Sequence, residues 1–237
     1  MFRALLTLTA LLGSLVAANA ESPLGDTRQL IVVVSNGSDV NQGTLATFER
    51  EVSSKWHRLS AQIPVTLGRN GMAWGIGRHS NAPLKREGDG RSPEGVFELE
   101  KIYGSSAQPT GDLFSYAQLS DASEGVDDPR SRSYNRIVDA SAIRARDWHS
   151  SERLRPTNPM FRWIVNVKHN WQQQPGFGSC IYLHIWKAPG SPTSGCTAMS
   201  PASLERIVRW LDQRKQPLLV QLTREDYARY REPWNLP

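Results

Sequence analysis

The chain has 237 residues, with 28 Lys and Arg against 23 Asp and Glu, a formal charge of +5 and 39% hydrophobic residues. That length suits one domain of ordinary size with a packed core. The basic excess is mild and no basic motif is interleaved with aromatics at recognition spacing, which argues against a nucleic-acid partner.

Residues 1–20 read as a leader rather than as fold. Met1-Phe2-Arg3 is a short basic start, Ala4 to Val16 is almost wholly apolar, and Ala18-Asn19-Ala20 is an A-x-A cleavage site. The pattern predicts a secretory signal peptide cut after Ala20, leaving residues 21–237 as one domain exported across the inner membrane to the periplasm or cell envelope. An uncleaved anchor is the alternative, although the apolar run is short for a membrane span. The cleavage point carries no Cys, so a lipoprotein is not expected. No later stretch is apolar enough to span a bilayer, and stable insertion after cleavage is not expected.

Gln29 to Ser35 (QLIVVVS) is β-branched and continuous, which predicts a buried strand. Asn36 to Gly43 reads as a polar turn. Thr44 to Ser54 places Leu45, Phe48 and Val52 at helical spacing and predicts a helix; Trp56 to Val65 alternates loosely and predicts a strand. The glycines between Gly68 and Gly77 lack the G-x-G-x-x-G order of a dinucleotide loop and predict turns and close strand packing. Lys85 to Val96 (KREGDGRSPEGV) is broken twice by glycine turns. Phe97 to Tyr103 alternates, with Phe97, Leu99 and Tyr103 expected on one face. Ser105 to Ser133 reads as a polar excursion and Tyr134 to Asp139 as a short strand. The Arg-rich Ser141 to Pro159 reads as a surface loop with one helical turn, of the kind that forms lids. Phe161 to Val167 is another strand, and Gln172 to Gly178 a turn. Pro201 to Arg214 predicts an amphipathic helix with Ser200 as N-cap, Pro201 at its first position and a stripe of Leu204, Ile207, Val208 and Leu211. Pro217 to Leu222 predicts a last strand, and a tail with Tyr227, Tyr230 and Trp234 follows. Strands dominate, with two helices, so the expected fold is mainly β, a sandwich or distorted barrel.

The chemistry concentrates in Ser179 to Ser200 (SCIYLHIWKAPGSPTSGCTAMS). Ile181, Leu183 and Ile185 alternate with Cys180, Tyr182, His184 and Trp186, so the aliphatic set faces the core and His184 the other way. A Pro/Gly/Ser loop then leads to Ser194-Gly195-Cys196. An imidazole brought to a thiol can take its proton, and Gly195 frees the backbone to turn N–H groups toward an oxyanion. Cys180 and Cys196 are the only cysteines, and in an oxidising compartment their pairing as one disulfide is an equal rival at this point. Among the other histidines, His169 at a strand end could line a cleft. None forms H-x-H or H-E-x-x-H, so neither a metal site nor a cofactor is expected.

The stretch from His184 to Thr193-Ser194-Gly195-Cys196 resembles the catalytic motif of the L,D-transpeptidase (YkuD-type) domain, a His, a loop and then Ser/Thr-His-Gly-Cys. The glycine-rich Leu67 to Gly77, the EGDGRSPEGVF of Glu87 to Phe97, the YNR of Tyr134 to Arg136, and His169-Asn170 extend the resemblance over about Gln29 to Leu222. It is nearest a branch with a shortened loop, and Ser194 stands where the commoner motif has His. The resemblance implies a YkuD-type β-sandwich or distorted barrel, with Cys196 as nucleophile, His184 as base and Gly195 beside the oxyanion. It implies acyl transfer on peptidoglycan stem peptides through a thioester resolved by a second stem-peptide amine. Water as resolver would make a carboxypeptidase or endopeptidase, an amidase is a further variant, and a non-catalytic peptidoglycan-binding module is the reading from another class. Ser194, Tyr134, Asn135, Arg136, Asn170 and Lys187 are the candidate substrate contacts. The resemblance makes Cys180 structural, since pairing it with Cys196 would silence the nucleophile.

Overall fold

β-Branched residues fill Gln29–Ser35, and in the computed structural model, which describes residues 22–52, 54–105, 108 and 113–237, that run is strand β1. The predicted signal peptide lies outside the described residues. There follow β2 (Gln42–Glu49), β3 (His57–Arg58), β4 (Ile63–Thr66), β5 (Met72–Trp74) and the long β6 (Ser92–Gly104). An excursion then carries β7 (Tyr116–Gln118), β8 (Ser123–Val126), β9 (Arg136–Asp139) and β10 (Ser151–Arg153). The chain returns through β11 (Trp163–Val167), β12 (Tyr182–Ile185), β13 (Thr197–Met199), helix α1 (Pro201–Trp210), β14 (Leu218–Thr223) and helix α2 (Arg224–Tyr230).

The strand order β1-β14-β6-β11-β12-β13-β4-β2 is closed by pairing of β2 back onto β1, which makes a distorted barrel with no free edge along that circuit. β8, β9 and β10 form a separate three-stranded sheet. Alternation along the barrel strands sorts their side chains into two layers. Inside lie Ile31, Val33, Leu45, Phe97, Val165, Leu183, Ile185 and Leu219, and α1 adds Leu204, Ile207, Val208 and Leu211 to the same core. Outside β1, β14 and β6, Leu30, Val32, Val96 and Val220 pack beneath the C-terminal Tyr227, Tyr230 and Trp234. Outside β11 and β12, Ile164 and Tyr182 pack with Leu119, Leu154 and Phe161 from the excursion and its return. Each fully buried aliphatic or aromatic side chain contributes roughly 1.5–3 kcal/mol. The excursion is therefore fixed to the barrel wall by an apolar layer of its own.

Several elements differ from expectation. Thr44 to Ser54 is no helix: β2 pairs with both β1 and β4, Leu45 enters the barrel, Phe48 packs on the outer layer and Val52 lies exposed in the following turn. Completing the barrel's backbone ladder outweighs a helical spacing carried by three residues. Trp56 to Val65 splits into β3 and β4. Phe97 and Leu99 face the barrel core as expected, but Ile102 takes the next inward place and Tyr103 turns outward. The cause is a bulge: Ile102 pairs with Val165 but Leu99 with Val167. The polar excursion carries the strands β7 and β8, and the Arg-rich stretch carries β10 beside its short 3₁₀ turn at Ala140–Ala142. The helix after Ser200 stops at Trp210, with the Ser200 hydroxyl accepting the Ser203 N–H as the predicted N-cap. The second helix is the tail, α2, capped by Thr223.

Candidate active site

β12 and β13 are parallel neighbours, with His184 beside Ala198. Parallel strands need a crossover connection, and residues 186–196 supply it as a loop across the barrel mouth. The loop returns so that Cys196 precedes Ala198 on the strand line, alongside Tyr182. The Tyr182 N–H donates to Cys196 Sγ at 3.3 Å, and the Cys196 thiol donates to the Cys180 carbonyl at 3.5 Å. Because Leu183 and Ile185 point into the barrel, Tyr182 and His184 point out of it, into a cavity of about 510 Å³ that Cys196 also lines. The excursion closes the far side of this cavity through Asp127 and Glu152, and Met160 and Phe161 flank it.

The His184 Nδ1–H donates to the Ile185 carbonyl at 2.8 Å, which fixes the ring and leaves Nε2 with its lone pair. The Phe161 ring packs edge-on at 6.3 Å between centroids. Burial pulls the imidazole below its ordinary pKa, against the opposing hydrogen bond to Ile185. Burial, then the negative charge of Glu152, pushes the Cys196 thiol up; the Tyr182 N–H and the Lys85 ammonium oppose this without cancelling it. Both shifts favour the neutral thiol and the neutral imidazole, so a thiol acting as a nucleophile here would give up its proton as it attacks.

Gly195 has φ of 154°, and a Cβ there would lie 3.1 Å from the Arg91 carbonyl oxygen and 3.3 Å from Ile181 Cδ1. The loop conformation therefore requires glycine. The Thr193 hydroxyl accepts the Gly195 N–H at 3.1 Å and donates to the Cys196 carbonyl at 2.6 Å, which also accepts from Ser92 Oγ at 3.0 Å. The Gly195 N–H is thus spent on holding the turn. The Cys196 N–H makes no hydrogen bond among the described residues.

Of the expected substrate contacts, Ser194 and Lys187 line the cavity with His184, Gly195 and Cys196. Ser194 Oγ accepts a long hydrogen bond, 3.5 Å, from Arg69. Tyr134, Asn135, Arg136 and Asn170 are not on the cavity wall. Asn135 is buried, donates to the carbonyls of His169 and Asn170 and accepts the Cys180 N–H. Asn170, equally buried, holds the 174–178 turn through Gln174 and Gly178. Arg136 donates to the Asn135 and Trp171 carbonyls and stacks on the Trp171 ring at 3.7 Å. Tyr134 donates to Glu87 Oε2 at 2.5 Å. The four tie the excursion to the turn that delivers Cys180 and β12. His169 is fully buried: Nδ1 accepts the Ile76 N–H and Nε2–H donates to the Phe177 carbonyl, and its pKa is pushed down to about 3, chiefly by burial. Cys180 and Cys196 are both free thiols.

The family model of the L,D-transpeptidase catalytic domain, YkuD, matches residues 28–220. The chain belongs to this family. Its members are cysteine-dependent enzymes, and membership implies a peptidoglycan substrate. No curated protein matches the sequence significantly.

For a YkuD domain the cavity also holds charged groups that sequence reasoning did not single out. Lys85 is 3% exposed and ion-paired with Asp89 at 2.8 Å; its Nζ would lie 3.8 Å from a Cβ on Gly195. It stands on the thiol's side of the cavity with Arg69, and Glu87 accepts through Oε2 from the Tyr134 hydroxyl and Ser179 Oγ. Lys85 and Glu87 were visible in the KREGDGRSPEGV stretch, but only as turn residues. Asp127 and Glu152 come from segments read as irregular, and nothing in their spacing announced them. Among the described residues no group of three or more His, Cys, Asp or Glu is disposed to hold a metal ion.

Proposed function

We propose that this protein is a peptidoglycan L,D-transpeptidase that joins stem peptides through a thioester on Cys196. The observation that carries the reading is that one cavity is lined by both a half-buried thiol, held by the Tyr182 N–H, and an imidazole whose Nδ1–H is committed to Ile185 and whose Nε2 has no hydrogen-bond partner among the described residues. Cys196 Sγ attacks the carbonyl on the L-centre side of an L,D-peptide bond as His184 Nε2 takes the thiol proton. The Cys196 N–H, with Lys85 beside Gly195, is available to the developing oxyanion. His184 then hands the proton to the leaving D-amino acid, and the amine of a second stem peptide attacks the thioester and releases the thiol. An N-terminal signal peptide and action in the periplasm or envelope belong to the same proposal.

Incubation of the purified protein with stem-peptide muropeptides, followed by mass spectrometry, tests it. Cross-linked dimers that have lost a D-amino acid are expected. Shortened monomers alone would mean that water resolves the thioester and would replace transpeptidation by hydrolysis. Cys196→Ala must abolish either product, and a carbapenem should add its mass to Cys196 in the wild-type chain only.

A further inference from the structure

The chain has two cysteines, and the fold brings both to the wall of one cavity. Both thiols are free and half-buried, and both pack against the apolar layer of Phe161, Ile164 and Tyr182. Cys196 Sγ lies 3.5 Å from the Cys180 carbonyl oxygen, so the nucleophile already touches the residue that carries the second thiol. Cys180 sits just ahead of β12 at φ of 55°, a left-handed conformation that strains a residue with a Cβ and that glycine adopts freely. The fold maintains that strain. The Cys180 N–H donates to Asn135 Oδ1 at 2.9 Å, and Asn170 Nδ2 holds the Gly178 carbonyl of the turn before it at 3.0 Å. The sulfur is accommodated as well. Its thiol donates to the Val126 carbonyl at 3.5 Å, and the Tyr182 hydroxyl lies against it. A Cβ on Gly125 would come within 2.3 Å of that hydroxyl and 3.3 Å of Cys180 Sγ, so glycine leaves room for both. A strained backbone that puts a second thiol on the nucleophile's cavity wall has no use in the acyl-transfer steps.

We propose that Cys180 is a resolving thiol, which closes a disulfide with Cys196 when the protein meets a disulfide-bearing oxidant and so switches the nucleophile off reversibly. The proposal rests on the reading of Cys196 as the nucleophile. In the first step Cys196 Sγ attacks one sulfur of a small disulfide as His184 takes its proton. The S–S bond of the oxidant breaks, and one thiol leaves with that proton. In the second step Cys180 Sγ attacks the Cys196 sulfur of the mixed disulfide, and the other thiol leaves with the Cys180 proton. Two protein thiols are oxidised and one small disulfide is reduced to two thiols, so electrons and protons balance. The Cβ atoms of a disulfide stand about 3.5–4.5 Å apart; closure turns both side chains toward each other, and the left-handed turn at Cys180 is the point that gives. A disulfide closed at a strained position is reduced more easily than a structural one, which suits a lock that reopens. The same chemistry clears mixed disulfides from Cys196.

The test is intact mass and carbapenem labelling of the reduced protein after exposure to millimolar glutathione disulfide. The wild-type chain should lose two hydrogens and carry no glutathione, with peptide mapping joining Cys180 to Cys196. Its carbapenem acylation should fall below about a hundredth of the reduced rate, and millimolar reduced glutathione should restore it. Cys180→Ala and Cys180→Gly should instead retain one glutathione on Cys196, because nothing resolves the mixed disulfide. Unfolding midpoints establish that the variants are folded. If Cys180→Ala is not, Cys180→Gly, which takes the left-handed turn without strain, carries the comparison, and the wild-type mass decides alone if neither folds. A wild-type chain that keeps its glutathione, stays reduced or links to a second chain would overturn the switch, as would a closed disulfide that glutathione cannot open. Because closure needs no turnover, an internal disulfide in a protein whose reduced form makes no product would sink the transpeptidase reading alone. Cross-linking by the reduced form, with no internal disulfide on oxidation, would sink the switch alone.

Discussion

Asn135 distinguishes a scaffold from a substrate contact. Its side chain is 5% exposed and makes three hydrogen bonds, to the His169 and Asn170 carbonyls at 2.8 Å each and from the Cys180 N–H at 2.9 Å. Its backbone sits at φ of 58°, a conformation Asn adopts more readily than most residues. Asn135→Ala removes three buried hydrogen bonds, at about 1 kcal/mol each, and leaves Ala in a left-handed conformation at roughly 1 kcal/mol more. The loss is about 4 kcal/mol, or on the order of 10 °C in melting temperature for a chain of this size. Asn135→Gly keeps the backbone comfortable and should lose about 3 kcal/mol. Urea unfolding measures both, and carbapenem acylation of Cys196 in the folded fraction measures the site. A loss below about 1 kcal/mol in Asn135→Ala, with KM for stem peptide raised, would refute the argument and make Asn135 a substrate ligand.

Three further outcomes follow from the buried groups. Glu94, 3% exposed, is pushed up to about 7 by burial and by the neighbouring Asp226 carboxylate, against the opposing hydrogen bond from the Thr223 N–H. Since the folded state holds this proton more tightly than the unfolded one, the contribution of Glu94 to stability is complete below about pH 4.5 and is lost as pH rises through about 7. The fall is roughly 3 kcal/mol; Glu94→Gln should flatten the unfolding free energy over that window, and an unchanged slope would assign it to another group. Cys196, with its pKa raised by burial, should react with iodoacetamide more slowly than a free cysteine peptide at pH 7, and faster without a plateau up to pH 9; a plateau near pH 6 would mean a resting thiolate–imidazolium pair. Gly75→Ala would bring a Cβ to 2.8 Å from His169 Nδ1 and from Pro93 Cβ, so an overpacking loss of about 1–3 kcal/mol is expected by denaturant titration, and a neutral result would show that His169 can move.

The sequence announced what depends on local alternation. β1, β12 and the outward set of Tyr182 and His184 follow from a period of two, and the cap of α1 from Ser200-Pro201. What failed depended on partners distant in sequence. β2 has apolar residues at helical spacing, and only β1 and β4 on its two sides make it a strand. Tyr103 faces outward because of a bulge against β11 that no spacing within β6 reveals. In the site, residue types one loop apart raised Cys196 and His184 as a candidate pair with a disulfide as an equal rival, and the resemblance to the L,D-transpeptidase motif is what assigned them roles. Lys85, Asp127 and Glu152 were not, because each is brought to the cavity by a turn or strand whose position is set by tertiary packing. The substrate contacts taken from the YNR and His169-Asn170 stretches were legible as important residues. The side chains of Asn135, Arg136, His169 and Asn170 bond main-chain groups around the turn ahead of β12, and Tyr134 donates to the Glu87 carboxylate.

In the proposed mechanism a half-buried, protonated thiol serves as the nucleophile, and the arrangement around it shows how. An ion pair formed at rest would need two charges in a desolvated cavity, at a cost that attraction between them offsets only with ideal geometry. Here the chain instead keeps both groups neutral and fixes the base: His184 is held by Ile185 and flanked by Phe161, and Cys196 is positioned by the Tyr182 N–H from the adjacent strand. The same strand thus orients acceptor and nucleophile, and the 186–196 loop need only close without strain at Gly195. Charge then develops only as the thiol meets a carbonyl, where the Tyr182 N–H already points at the sulfur and the Lys85 ammonium stands beside Gly195.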